Sequence, residues 1–167
     1  NTGLAKVGFM GTDAMGSYTM MGNTVNLAAR LEAAGKDYGV NILISESVKS
    51  QVESELFTRN LDLVRVKGKN EPVKLYELIS ANSDVSAYTK EAKEMYEEGF
   101  KLYLKMEWDK ENVTFQNSEK AKGKKDKAVE LLIDRCSYYK NSSPGENLDG
   151  VFTRKHKKKK KKKIVLT

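Results

Sequence analysis

A chain of 167 residues with 39% hydrophobic residues has room for one domain or two small ones and a modest core. Its net charge of +7 suggests nucleic acid or membrane until the charge is located: Arg154, Lys155 and Lys157 to Lys163 carry nine of the 30 basic charges, leaving 21 against 23 acidic residues, so the basicity belongs to a tail. The single cysteine, Cys136, excludes an intramolecular disulfide and fits a reducing compartment, and no run approaches the ~18 apolar residues needed to span a bilayer.

Leu4 to Met10 alternates Leu4, Lys6 and Gly8 against Ala5, Val7 and Phe9, which predicts a strand. Gly11 to Ser17 reads as a glycine-bounded turn, and Tyr18 to Met21 as a second strand entering a hairpin. Five of the twelve glycines fall in the first 22 residues, a density that implies tight turns or close approach of the backbone to a ligand. Gly11 and Gly16 have the spacing of a phosphate-binding P-loop. Ser17 and Tyr18 follow where that motif requires lysine and Ser/Thr, which rules it out.

Asn23 is placed to cap a helix over Thr24 to Ala34, closed by Gly35 in the left-handed conformation. Leu27 and Leu31, with Ala28 and Ala34, form its apolar stripe. Asn26 and Arg30 stand four residues apart about 100° away from that stripe, roughly 6 Å from each other at Cβ. An amide and a guanidinium so placed can hold two neighbouring parts of one nucleotide, although a polar pair on a helix is more often a solvated face.

Val40 to Ile44 is a continuous apolar run suited to a buried strand, and Ser45 starts a short helix to about Glu55 with Val48 and Val52 one turn apart. Phe57 to Val66 and Pro72 to Ile79 are two further strands around the turn Lys67 to Glu71. The first 80 residues are therefore mixed α/β, with a strand order that the pattern leaves open. A polar linker at 81 to 86 follows, and beyond it the strand signals stop. Ala87 to Met106 predicts a helix with Tyr88, Ala92, Tyr96, Gly99, Phe100 and Tyr103 on its apolar face. Trp108 to about Lys122 predicts a second, and Asp126 to Lys140 a third with Ala128, Leu131, Leu132, Arg135 and Cys136. Cys136 there reads as a buried structural thiol. Gly99, Trp108 and Phe115 at these intervals suggest helical hairpins of tetratricopeptide kind over 87 to 143, with too few repeats to establish a solenoid. Ser143, Pro144 and Gly145 end the helices, and residues 144 to 167 read as an extended or disordered tail. The lone His156 lies among the tail lysines without metal-ligand company, and the lysine run is no basis for a nucleic-acid partner.

Residues 2 to 79 resemble the C-terminal half of a class III nucleotidyl cyclase catalytic domain, the adenylate/guanylate cyclase family, of bacterial type. The resemblance runs through Thr2 and Gly3, the Gly11 to Ser17 turn, YTMMGNTVNLAARLE from Tyr18 to Glu32, YGVNILIS from Tyr38 to Ser45, and VKGK from Val66 followed by PVKLYEL from Pro72. Several ordered blocks over nearly 80 residues are far more specific than any one alone.

The resemblance implies a ferredoxin-like α+β cyclase core, present in part, and adenylate cyclase activity: ATP to 3′,5′-cyclic AMP and pyrophosphate. It implies that Asn26 and Arg30 orient the ribose and stabilise charge at the α-phosphate, that Lys67 holds the triphosphate, and that Thr19 reads the base, as adenine. It also implies two divalent metals, Mg²⁺ or Mn²⁺, held by aspartates on strands expected before Asn1, and a homodimer with the active site shared between protomers. On that expectation the chain is a piece of a longer cytoplasmic protein that a preceding segment could tether to a membrane, and alone it is inactive. The helical extension also resembles those of bacterial cyclases at Tyr96, Gly99, Leu102, Tyr103, Trp108 and Phe115, with Glu111 where a small alanine is expected. A charge there is costly to bury unpaired. The alternative is a non-catalytic cyclase-like or helical module that regulates a protein partner.

Overall fold

The computed structural model describes residues 1–12, 14–65 and 71–142, together with the backbone of 151–153. Lys67 and the tail beyond Thr153 lie outside the described residues, as do Ser143 to Gly145. The element order is β1 (Lys6–Thr12), β2 (Met15–Met21), α1 (Asn23–Tyr38), β3 (Leu43–Ser45), α2 (Glu46–Val52), β4 (Leu56–Arg65), β5 (Val73–Ala81), α3 (Ala87–Leu104), α4 (Trp108–Lys122), α5 (Lys127–Asn141) and β6 (Val151–Thr153), with a 3-10 turn at Asn82–Asp84.

β1 and β2 form an antiparallel hairpin in register from Lys6 opposite Met21 to Thr12 opposite Met15. The strands thus run through most of the turn predicted over Gly11 to Ser17. Gly11 pairs with Gly16, and Gly11 adopts φ 137, where the Met15 carbonyl oxygen would stand 2.2 Å from an added Cβ. The glycine lets the two backbones close on each other before the chain reverses.

A second sheet has the order β3-β5-β4-β6. β4 pairs antiparallel with β5 and parallel with β6, whose Val151 lies opposite Leu63, so part of the predicted tail is a strand. Only Leu43 to Ser45 of the apolar run after Val40 joins the sheet, and Ile42 is half exposed. Two register shifts interrupt the β4–β5 ladder, between Phe57 and Thr58 and between Asn60 and Asp62. Bulges of this kind break the alternation of faces, and Thr58 and Arg59 are both buried, as are Leu61 and Asp62.

α1 begins and ends differently from the sequence expectation. Gly22 is its N-cap and Asn23 its first helical residue, without a side-chain capping bond. The helix also continues past Gly35 to Tyr38, and Gly39 at φ 66 is the left-handed C-cap. Gly35 is buried inside the helix, where an added Cβ would lie 3.5 Å from the Val40 carbonyl oxygen and 3.7 Å from Leu43. Tertiary seating of Tyr38 carries the helix through a residue that local propensity would have ended it on.

One buried apolar cluster joins Leu27, Leu31, Ala34 and Tyr38 of α1 to Leu61, Val64 and Leu75 of the sheet. It continues into Tyr96, Phe100 and Tyr103 of α3, Phe115 of α4, and Val129, Leu132 and Cys136 of α5. α3 and α4 pair closely because Gly99 removes the side chain that would meet the Phe115 ring, 2.7 Å from a built Cβ. Ser118 Oγ also donates to the Ala92 carbonyl across this pair, at 2.8 Å. The helices reach the sheet through the Tyr96 hydroxyl, which donates to the Leu61 carbonyl at 2.9 Å, and the Asn60 amide, which donates to Glu97 at 3.1 Å. No helix among the described residues is long and apolar enough to cross a membrane.

Candidate functional site

The β1–β2 hairpin presents two different faces. Val7 stands opposite Met20 and Phe9 opposite Tyr18, giving one face of large apolar side chains, all exposed. Thr19 lies on the other face, opposite Gly8 and between Ser17 and Met21. An added Cβ on Gly8 would meet nothing within 4 Å, so the ground beside the Thr19 hydroxyl is open. The strand then breaks at Gly22, and α1 starts with the Asn26 amide donating to the Gly22 carbonyl at 3.0 Å.

Leu27, Leu31, Ala34, Gly35 and Tyr38 face the interior. Asn26 and Arg30, each one position before a buried leucine, are turned about 100° from that stripe. Asn26 is exposed and Arg30 half-buried, and neither side chain has a hydrogen-bond or ion-pair partner among the described residues. The structure therefore brings Asn26 and Arg30 together on one face of α1, seven and eleven residues beyond Thr19 on the strand that feeds the helix.

Chemically, this arrangement offers a planar, permanently charged fork for anionic oxygens, an amide able to donate and accept, and a hydroxyl on open ground. Among the described residues no group of three or more His, Cys, Asp or Glu is placed to hold a metal ion. The described residues thus do not fit the Mg²⁺ or Mn²⁺ that the resemblance implies. A cavity of about 290 Å³ lies instead between the sheet and α3, lined by Asn60, Leu63, Lys74, Glu97 and Phe100 among others, and none of Thr19, Asn26 and Arg30 lines it.

The strongest electrostatics lie behind α1. Asp62 accepts from the Tyr38 hydroxyl at 2.5 Å, from Arg135 at 2.6 Å and from the Leu63 amide at 2.8 Å. Burial lifts the Asp62 carboxyl above the usual carboxylate range, while Arg135, Tyr38 and the Leu63 amide pull it back. Burial also pushes the Tyr38 hydroxyl well up, helped by Asp62, which keeps it a proton donor. Three residues away on β4, Arg59 bridges Glu77 and Asp126, each at 2.7 Å, beneath the Tyr96 ring at 4.4 Å. Burial opposes the Asp126 charge, but Arg59 and Lys122 together hold that carboxyl below its usual range.

Glu111 is fully buried in α4 with neither carboxylate oxygen hydrogen-bonded among the described residues, and burial raises it to about 7. Sequence reasoning left Asp62 and Arg59 without a role. Their signal was Arg59 and Asp62 set among the Leu, Phe and Val of β4, matched by Arg135 on the apolar stripe of α5.

Comparison with known proteins bears on the same stretch. Residues 1–80 match the family model of the adenylate and guanylate cyclase catalytic domain. The chain is 39% identical over 79 residues to adenylate cyclase 1 of Rhizobium meliloti (strain 1021), a match over 47% of this chain and 12% of that protein. It is 32% identical over 141 residues to the terminal-differentiation specific adenylate cyclase of Dictyostelium discoideum, over 81% of this chain and 6% of that protein. Against the adenylate cyclase of Anabaena cylindrica it is 39% identical over 79 residues, 46% of this chain and 16% of the relative. The chain thus spans between 6% and 16% of the length of these relatives. The crystal structure of the adenylyl cyclase CyaB from P. aeruginosa aligns with a TM-score of 0.42 at 34% identity, over 49% of this chain and 41% of that one. The segment holding Thr19, Asn26 and Arg30 lies inside the part of the chain, residues 1–80, that matches the adenylate and guanylate cyclase catalytic domain family.

Proposed function

We propose that this chain supplies the ribose- and phosphate-binding half of an adenylate cyclase site, for the conversion of ATP to 3′,5′-cyclic AMP and pyrophosphate. The observation that carries this reading is the pairing of Asn26 and Arg30, unpartnered among the described residues and turned away from the buried stripe of α1, within the stretch matched by the cyclase family.

Cyclisation requires the ribose 3′-oxygen in line with the α-phosphorus, so that the O3′–P bond forms as the bond to pyrophosphate breaks. Asn26 fixes the sugar for that attack. Negative charge grows on the phosphate oxygens as pyrophosphate leaves, and the Arg30 guanidinium meets it with directed hydrogen bonds. Thr19 both donates and accepts, which suits an adenine edge on the open ground opposite Gly8. Lys67 binds the triphosphate as a point charge. The Mg²⁺ or Mn²⁺ takes its ligands from outside the described residues, on a second protomer of a homodimer.

Residues 1 to 80 form the cyclase-like segment in this reading, 81 to 86 a linker, and 87 to 143 a tetratricopeptide-like extension open to a protein partner. The close α3–α4 pairing at Gly99 and Phe115 supports the last of these.

The test is Arg30→Ala in the complete protein with ATP and Mn²⁺. The expected result is a kcat lowered by on the order of 10² with a smaller change in KM. An unchanged kcat removes Arg30 from the chemistry. The 167-residue chain alone is expected to produce no cyclic AMP, and robust turnover by it would refute the shared site.

A further inference from the structure

The family match ends at residue 80, yet the nucleotide helix α1 does not end within that segment's own contacts. Its last residue, Tyr38, is 2% exposed, and its hydroxyl lies between Asp62 of β4 and Arg135 of α5. Arg135 donates from one nitrogen to Asp62 at 2.6 Å and from another to the Tyr38 oxygen at 3.3 Å. The contact continues at the helix cap, where Lys127 of α5 packs so tightly on Gly39 that an added Cβ would lie 2.8 Å from its Cδ. α1 and α5 also share the apolar cluster through Leu27, Leu31 and Ala34 on one side and Ala128, Val129 and Leu132 on the other.

We propose that the helical segment after residue 86 clamps the C-terminal turn of α1 through Arg135, Asp62 and Tyr38, making Arg135 and Tyr38 positioning residues for Asn26 and Arg30. The consequence for turnover rests on the nucleotide reading of α1; the clamp itself does not.

Three features give the junction its force. A guanidinium holding a carboxylate and a phenol at once has directional bonds to both, so the three groups share one geometry. The three side chains are buried, which strengthens each bond and makes an unmade one costly. α1 is a stiff element, so fixing Tyr38 fixes the direction in which Arg30, eight residues earlier on the same rod, is presented. A small misplacement of a charge-stabilising group costs rate more than binding.

Hydrogen exchange on the full chain tests the clamp without any activity. Tyr38→Phe removes one hydroxyl and leaves the Asp62–Arg135 pair, so the fold survives. Amides of residues 34 to 38 are then expected to exchange roughly tenfold faster, with those of α3 unchanged. Unchanged exchange in α1, or an equal rise in every element, overturns the proposal.

The second arm measures Tyr38→Phe and Arg135→Lys in the complete enzyme beside Arg30→Ala. The expected split is a lowered kcat with a nearly unchanged KM for ATP, milder for Arg135→Lys, which keeps the charge. Loosened α1 amides with a normal kcat, while Arg30→Ala is impaired, overturn the positioning role. If Arg30→Ala is itself normal, the cyclase reading fails and the exchange result still decides the clamp.

Discussion

Ionisation of Glu111 is expected to weaken this fold as pH rises through neutrality. Its side chain is 0% exposed, neither oxygen has a hydrogen-bond partner among the described residues, and its carboxyl is pushed up to about 7 from an ordinary 4.5 by burial. The Cys136 thiol and Lys140 of α5 favour the charged form, and the desolvation outweighs them. Burial in turn pushes the thiol well up, with Glu111 adding to the shift, so Cys136 stays a neutral thiol beside the carboxyl and adds no second negative charge.

A folded pKa above the unfolded one means that the native state binds the extra proton. The associated stability is fully present below pH 4.5 and is lost as pH rises through about 7. At about 1.4 kcal/mol per pH interval, the loss amounts to roughly 3 kcal/mol by pH 8.5. That is a large part of the stability of a small domain. Glu111→Gln keeps the shape and cannot ionise; its buried amide adds an offset that does not vary with pH.

Urea denaturation of parent and Glu111→Gln at pH 4.5 and pH 8.5, at constant ionic strength, isolates the effect because every other titrating group is common to both. The difference between them is expected to move in favour of the variant by about 3 kcal/mol over that range. Parallel pH profiles would refute the reasoning, since they would place the Glu111 carboxylate in water or beside a counter-charge.

Two packing predictions follow from the same junctions. Gly99→Ala sets a methyl group 2.7 Å from the Phe115 ring, which has no room to retreat inside the core, and is expected to cost about 1 to 3 kcal/mol in denaturant midpoint. A midpoint equal to the parent's would show that α3 and α4 are not in this contact. Arg59→Met removes the common partner of Asp126 and Glu77, leaving Lys122 as the ion-pair partner of Asp126, and is expected to destabilise by about 3 to 5 kcal/mol, read by thermal unfolding.

Local pattern carried much of the fold. α4 runs from Trp108 to Lys122 as its periodicity predicts, and α3, α5 and the long strands β4 and β5 differ from their predicted bounds by no more than two residues. Asn26 and Arg30 were legible for the same reason: a face of a helix is set by spacing alone. The misreadings occurred where a residue's neighbours in space overrode its neighbours in sequence. Gly35 stays inside α1 because Tyr38 has a seat beyond it, Gly11 and Gly16 pair within the ladder, and Val151 to Thr153 add a strand to β4.

By itself, the sequence determined where helices α1 to α5 and the long strands β4 and β5 lie, which helix face is apolar, and the motif blocks that resemble a cyclase. Tertiary structure alone decided that Arg135 reaches Asp62 across 73 residues of chain, that Arg59 reaches Asp126 across 67, and that Glu111 is buried with no full partner among the described residues. The physical reason is range. Periodicity reports on residues within a turn or two of one another, whereas the charge state of a buried group depends on whatever the fold packs against it.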